Sequence, residues 1–155
     1  METTAKVYKS FANNYRLICE PNPKFNKVKI TGTRDTVEYL TQLYEQEQNM
    51  DIVESFFILI LNRANTVTGW VKISSGGITG TVADPRIIAK YAVENLACGI
   101  IMCHNHPSGN LQPSRQDEVA TQNIKQGLAF LDIKLVDHVI LSSEGFYSFL
   151  EEGML

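Results

Sequence analysis

The sequence predicts an α/β fold of the α+β kind: a mixed, largely antiparallel sheet flanked by helices in a three-layer sandwich. Three observations carry this. Short apolar runs alternate with segments whose apolar residues recur at helical spacing. The clearest runs, Phe56 to Leu61 and Val67 to Ile73, flank a turn at Asn62 to Asn65 and read as an antiparallel hairpin. The length, 155 residues with 44% hydrophobic and 20% charged, is that of one globular domain, and such a domain buries about 68–70% of its unfolded surface.

The elements follow in order. Residues 1–27 read as an N-terminal extension packed on, or leading into, a domain of residues 28–155. In the extension, Lys6 to Tyr8 and Tyr15 to Cys19 are candidate short strands, and Pro21-Asn22-Pro23 is a turn. Lys27 to Thr31 alternates polar and apolar residues, as a half-buried strand does. Val37, Leu40, Leu43 and Tyr44 form an apolar stripe on a helix from Thr33 to about Gln48. Phe56 to Leu61 is too short for a helix and too apolar for a surface strand. Ser75-Gly76-Gly77 and Gly80 mark a flexible loop, and Asp84-Pro85 opens a helix with Asp as N-cap and Pro at its first position. Ile87, Ile88, Tyr91, Ala92 and Leu96 are expected on its buried face. Gly99 releases the chain into a second core strand, Ile100 to Cys103, followed by a loop of turn formers over 104–114. A third helix is predicted from Arg115 to Phe130, with Val119, Ile124 and Leu128 inward. Ile133 to Leu141 is the last core strand, and the tail Phe146-Tyr147-Ser148-Phe149 is expected to pack against the domain.

Charge and composition exclude several classes. Seventeen Asp and Glu against 14 Lys and Arg give a net charge of −3, which argues against a broad phosphate-binding face. Phe56 to Leu61 is the longest purely aliphatic or aromatic run, far short of the ~20 apolar residues of a membrane span. The opening Met-Glu-Thr-Thr-Ala-Lys carries no secretory apolar stretch. Cys19, Cys98 and Cys103 are odd in number and form no CxxC pair, which suggests a reducing compartment. The expected location is the cytoplasm. Gly76-Gly77 and Gly80 do not make a phosphate-binding GxGxxG.

The chemistry concentrates at the end of the second core strand. His104 and His106 stand two apart, so in an extended chain both imidazoles face one side while Asn105 points away. Eleven residues on, Asp117 lies in the first turn of the next helix. Two neutral imidazoles and a carboxylate suit zinc, with Zn–N about 2.0–2.1 Å, and three protein ligands leave a fourth position for water. Zinc would lower that water's pKa towards ~7. A lone His-x-His is weak evidence, and Ser114 with Asp117 fits a capping box that needs no metal. On spacing alone capping is the simpler role for that pair, and the two roles are compatible. Cys103 is expected on the opposite face of the strand, in the core. His138, in an alternating strand, reads as a core or supporting residue rather than a fourth ligand.

His104-x-His106, seven residues, Ser114, two residues, Asp117 resembles the zinc motif of the JAB/MPN metallopeptidases, the JAMM motif. His104-Asn105-His106-Pro107-Ser108-Gly109 and Pro113-Ser114 look like its bacterial RadC branch. The resemblance runs from about Val28 to the C-terminus and includes Gly80-Thr81, Asp137-His138 and Tyr147-Ser148-Phe149. It implies a cytidine-deaminase-like sandwich binding one zinc through His104, His106 and Asp117. It further implies that Glu54, two residues before Phe56, is the acid-base carboxylate, and that Ser114 hydrogen-bonds the oxyanion of the scissile carbonyl. Read without the resemblance, Glu54 is a solvated strand end. Glu94, Glu118 and Glu144 compete by composition but lack the strand position.

The expected function is therefore zinc-dependent hydrolysis of a peptide or isopeptide bond in a peptide or protein substrate. The rival is a non-catalytic zinc-binding scaffold associated with DNA repair or recombination. Longer RadC-like chains carry an N-terminal helix–hairpin–helix region, which residues 1–27 are too short to supply, so DNA binding is expected to be weak or absent. A metal-dependent nuclease is disfavoured by the acidic balance and by too few oxygen ligands for a two-metal magnesium site. No membrane contact is expected; oligomeric state is left open, a homo-oligomer included.

Overall fold

A strand with no polar side must be covered on both faces, and Phe56 to Leu61 is such a strand. In the computed structural model, which describes residues 27–47, 50–76 and 83–155, this run lies in β1 (Ser55–Leu61), buried along its whole length. β2 (Val67–Ser75) and β3 (Gly99–Asn105) pair with it antiparallel, one on each side. β4 (Lys134–Ser142) runs parallel to β3, and β5 (Gly145–Ser148) returns antiparallel to β4. The five strands stand in the order β2-β1-β3-β4-β5. At the hairpin, the Asn62 side-chain oxygen accepts from the amides of Ala64 and Thr66 at 2.9 and 3.0 Å. Asn65 takes the left-handed φ of 56° that Asn tolerates.

Alternate residues of β1 and β3 feed two cores. On one face Phe57, Leu59, Leu61, Ile101 and Cys103 meet Leu40, Leu43 and Tyr44 of α1 (Thr33–Glu47). On the other, Phe56, Ile58, Ile60, Ile100 and Met102 meet Ile88 and Ala92 of α2 (Pro85–Glu94) and Ile124 and Leu128 of α3 (Arg115–Ala129). Each fully buried aliphatic side chain is worth about 1.5–3 kcal/mol, so the two central strands anchor both layers. The predicted mixed, largely antiparallel sandwich is the observed one, and Cys103 sits in the core opposite His104 as expected. Asp84 caps α2 by accepting from Arg86 N at 2.9 Å, with Pro85 at the first helical position. Hydrogen bonds from the Arg86 side chain and backbone hold the Asp84 carboxyl down at about 2.

Two local expectations are corrected, and a third, the packed tail, is borne out and extended. Lys27 to Thr31 forms no full strand but a single bridge, Lys29 to Thr66, with Ile30 N donating to Asn65 O and Val67 N to Val28 O. Part of the C-terminal tail adds β5 to the sheet rather than merely packing on it. Ile87, Leu96 and Val119 are exposed, because the buried stripes pass through Ile88 and Ala92 on α2 and through Thr121, Ile124 and Leu128 on α3. The expected strands at Lys6 to Tyr8 and Tyr15 to Cys19, the turn at Pro21 to Pro23, and Gly77 and Gly80 lie outside the described residues. Among the described residues, no helix is long and apolar enough to cross a membrane.

Candidate metal centre

Where β3 leaves the sheet, alternation carries His104 and His106 to the same side, and their Nε2 atoms stand 3.0 Å apart. The parallel β3–β4 connection then returns through α3, whose first turn brings Asp117 to the same point. Asp117 Oδ1 lies 3.3 Å from His104 Nε2, and Oδ2 lies 4.0 Å from His106 Nε2. Among the described residues these three form the group able to hold a metal ion. His104 is fully buried; His106 and Asp117 are half-buried.

The hydrogen-bond inventory fixes what these atoms carry. His106 Nδ1 reaches the Asn110 carbonyl at 2.5 Å. A carbonyl only accepts, so the proton of neutral His106 is on Nδ1 and its Nε2 is a bare lone pair. His104 Nδ1 is 2.8 Å from His138 Nε2, which leaves His104 Nε2 turned to the site. Burial pushes His138 well below the ordinary imidazole value, so its ring is neutral. Lone pairs and a carboxylate thus converge, and a cation is what satisfies them together. Ligand atoms about 2.0–2.1 Å from a tetrahedral zinc stand roughly 3.3 Å apart; the separations here bracket that edge. The donor set fits zinc with an open fourth position.

Asp117 is shaped for this task by its own helix start. Ser114 is the N-cap of α3, accepting from Asp117 N at 3.1 Å. Its amide and hydroxyl both donate to Asp117 Oδ2, at 2.7 and 2.6 Å, completing the capping box. Burial pushes the Asp117 carboxyl up, but its contacts with the His104 imidazole and with the Ser114 hydroxyl and amide outweigh it and hold it far below the ordinary Asp range. One carboxylate oxygen is therefore saturated by Ser114 while the other is presented to His104. In this arrangement the Ser114 hydroxyl proton is committed to Asp117, and the expected oxyanion contact requires it to rotate away.

Glu54 is half-buried just before β1, and its carbonyl accepts from Gly76 N at 2.8 Å. Phe56 pairs with His104 at the end of the β1–β3 ladder, and Glu54 lies two residues before it. Glu54 does not belong to the converging ligand group. Phe56 stacks flat on His104, ring centroids 5.8 Å apart and planes 6° from parallel, backing the buried ligand. His138 lies behind His104 and is not among the converging ligands.

Sequence reasoning missed three supporting residues. Asn105 was expected only to point away from the site; its buried amide grips the segment on both sides of Glu54, bonding Met50 and Val53 before it and Ser55 after it. A buried polar residue in an otherwise apolar strand was the available signal. Thr121, on the same helix face as Asp117 by its i+4 spacing, meets His138 at 2.6 Å. Asn110 supplies the carbonyl that orients His106; a main-chain group leaves no signal in residue type.

The RadC-like JAB domain family model matches residues 30–154. The chain is also similar to proteins carrying the name UPF0758 protein. That of Flavobacterium johnsoniae is 40% identical over 126 residues, 81% of this chain and 53% of the relative. That of Chlorobium phaeovibrioides is 38% identical over 127 residues, 82% and 55%. That of Streptococcus suis is 41% identical over 100 residues, 64% and 41%. The chain spans about half the length of the curated relatives it matches.

Proposed function

The chain belongs to the RadC-like JAB domain family, and from that premise we propose that it is a zinc-dependent hydrolase acting on a peptide or isopeptide bond. The observation that carries the reading is the convergence of His104 Nε2, His106 Nε2 and Asp117 within 4.8 Å of one another, with the His106 proton turned away to the Asn110 carbonyl. A zinc-holding scaffold would account for these ligands as well, but it has no chemical need for an acid-base carboxylate at Glu54.

His104, His106 and Asp117 would hold the ion, one per chain. Bound there, zinc supplies Lewis acidity for polarising water and a scissile carbonyl. The remaining work falls to the protein. Ser114 keeps the Asp117 carboxylate ionised and fixed in rotation through its amide and hydroxyl, and on rotating away from Asp117 that hydroxyl would serve an oxyanion. Glu54 takes the proton of the attacking water and returns it to the leaving amine, a task one half-buried carboxylate performs in turn. The same polypeptide in the cytoplasm keeps Cys98 and Cys103 as the free thiols they are in the structure.

The test is cleavage of a diverse peptide library by the zinc-loaded wild type and by Glu54→Gln. Wild-type cleavage that the variant loses while keeping zinc supports the enzyme reading. Zinc binding with no cleavage by either protein supports the rival, a zinc-holding scaffold.

A further inference from the structure

We propose that Thr121 and His138 are positioning residues of the metal centre: a relay that starts at the Thr121 hydroxyl decides which nitrogen of His104 carries its proton. The inference rests on the metal reading above and deepens it. Thr121 Oγ1 lies 2.6 Å from the Asp117 backbone carbonyl. That carbonyl cannot donate, so the single hydroxyl proton goes to it. The same oxygen lies 2.6 Å from His138 Nδ1. Having spent its proton, it accepts, and His138 carries its proton on Nδ1. The neutral ring then has a bare Nε2, and the nitrogen 2.8 Å away, His104 Nδ1, is the donor to it. His104 accordingly offers the lone pair of Nε2 to the metal.

Each step is enforced by burial. Thr121 and His104 are fully buried and His138 is 1% exposed, so water cannot take either role. The His138 ring stacks on Phe149 at 4.7 Å and 14° and meets Phe56 at 5.7 Å, which opposes a ring flip. One hydroxyl thereby ties the helix that supplies Asp117 to the strand that supplies His104. Remove it, and the proton of His138 is better placed on Nε2, pointing at His104. His104 must then accept on Nδ1 and carry its own proton on Nε2, where the metal belongs. The residue controls ligation without touching the ion.

The experiment compares wild type, Thr121→Val and Thr121→Ser. Nitrogen-15 imidazole spectra of the metal-free proteins, taken well above the ordinary imidazole value near 6.5, assign the tautomers. Zinc affinity is measured against a competing chelator. Wild type should show Nδ1–H on both His104 and His138. Thr121→Val should move both protons to Nε2 and weaken zinc binding by about 10–100-fold, the usual range for such supporting contacts. Thr121→Ser, which keeps the hydroxyl, should match wild type in both readouts. Unchanged tautomers and affinity in Thr121→Val, or a Thr121→Ser variant as weak as Thr121→Val, overturn the relay. So does a wild-type His104 protonated on Nε2, whatever the fate of the variants. A wild type that binds no zinc sinks the metal reading instead, while its spectra still decide the relay.

Discussion

The side-chain oxygen of Asn105 accepts the Ser55 amide at 2.7 Å. The same side chain donates to the carbonyls of Met50 and Val53 at 2.6 and 3.0 Å. Asn105 stands between the two candidate histidine ligands, and Ser55 directly follows the candidate acid-base glutamate. The strand that presents the metal site thus also clamps the segment that presents Glu54. Tyr44 reinforces the clamp by donating to the Ser55 carbonyl at 2.7 Å.

Asn105→Asp keeps the oxygen that accepts from Ser55 but replaces the amide that serves two carbonyls with a buried carboxylate oxygen facing them. An unpaired buried polar group costs about 1–3 kcal/mol, more if charged. The expected result is a fall in unfolding free energy of at least that size by denaturant titration, with catalysis reduced beyond the loss of folded protein. Wild-type stability in the variant would show that the clamp is dispensable.

Glu54→Gln is expected to retain zinc and lose about 10²–10⁴ in hydrolytic rate, the usual contribution of general acid–base catalysis. Glu94→Gln and Glu118→Gln should keep most of the activity; Glu94 pairs with Lys90 and Glu118 with Arg115 on helix surfaces. Loss of zinc on changing Glu54 would make it a ligand or a fold determinant. Equal rates for Glu54→Gln and wild type would remove it from the mechanism.

The two central strands were legible because continuous apolar runs have one physical solution, burial on both faces. The Asp84-Pro85 and Ser114–Asp117 caps were legible because their chemistry is local. The supporting role of His138 was legible, but the face of the sheet it occupies was not. β4 shifts register between the Ile100–Leu135 and Ile101–Asp137 pairs, which puts Leu135 and His138, three apart, on one face of the sheet. Simple alternation assigns them to opposite faces, and a register shift is set by strand pairing rather than by residue type. The inward faces of α2 and α3 were blurred for a related reason. Ile87 and Val119 are apolar yet lie just off the stripe that the sheet covers, and exposed apolar residues are ordinary. Of the metal group, the His pair followed from strand alternation, whereas the approach of Asp117 needed the whole β3–α3 crossover.

Asp137 carries a pH signature of its own. Burial raises its carboxyl above the ordinary Asp value, against hydrogen bonds from the Ser148 hydroxyl and the amides of Leu150 and His138. A raised folded-state value means that its stabilising contribution is fully present below the unfolded value, near 3.9, and is lost as pH rises through the folded value. The stability of wild type relative to Asp137→Asn should therefore be greatest below about pH 4 and decline as pH rises. Denaturant titrations across pH check the sign; a difference that grows with pH contradicts it.

Duplex DNA should bind this chain weakly and without sequence preference at physiological salt. Phosphate contacts dominate such affinity and fade steeply with salt, and the net charge is −3. A submicromolar complex that withstands salt would instead favour the DNA-associated scaffold.

Zinc content bears most directly on the centre formed by His104, His106 and Asp117. Elemental analysis of protein reconstituted with zinc and freed of excess metal should give about one ion per chain for wild type, as three protein ligands and an open position imply, and none for His106→Ala or Asp117→Ala. Wild-type protein that retains no zinc after reconstitution, or variants that retain as much as wild type, would contradict the metal centre.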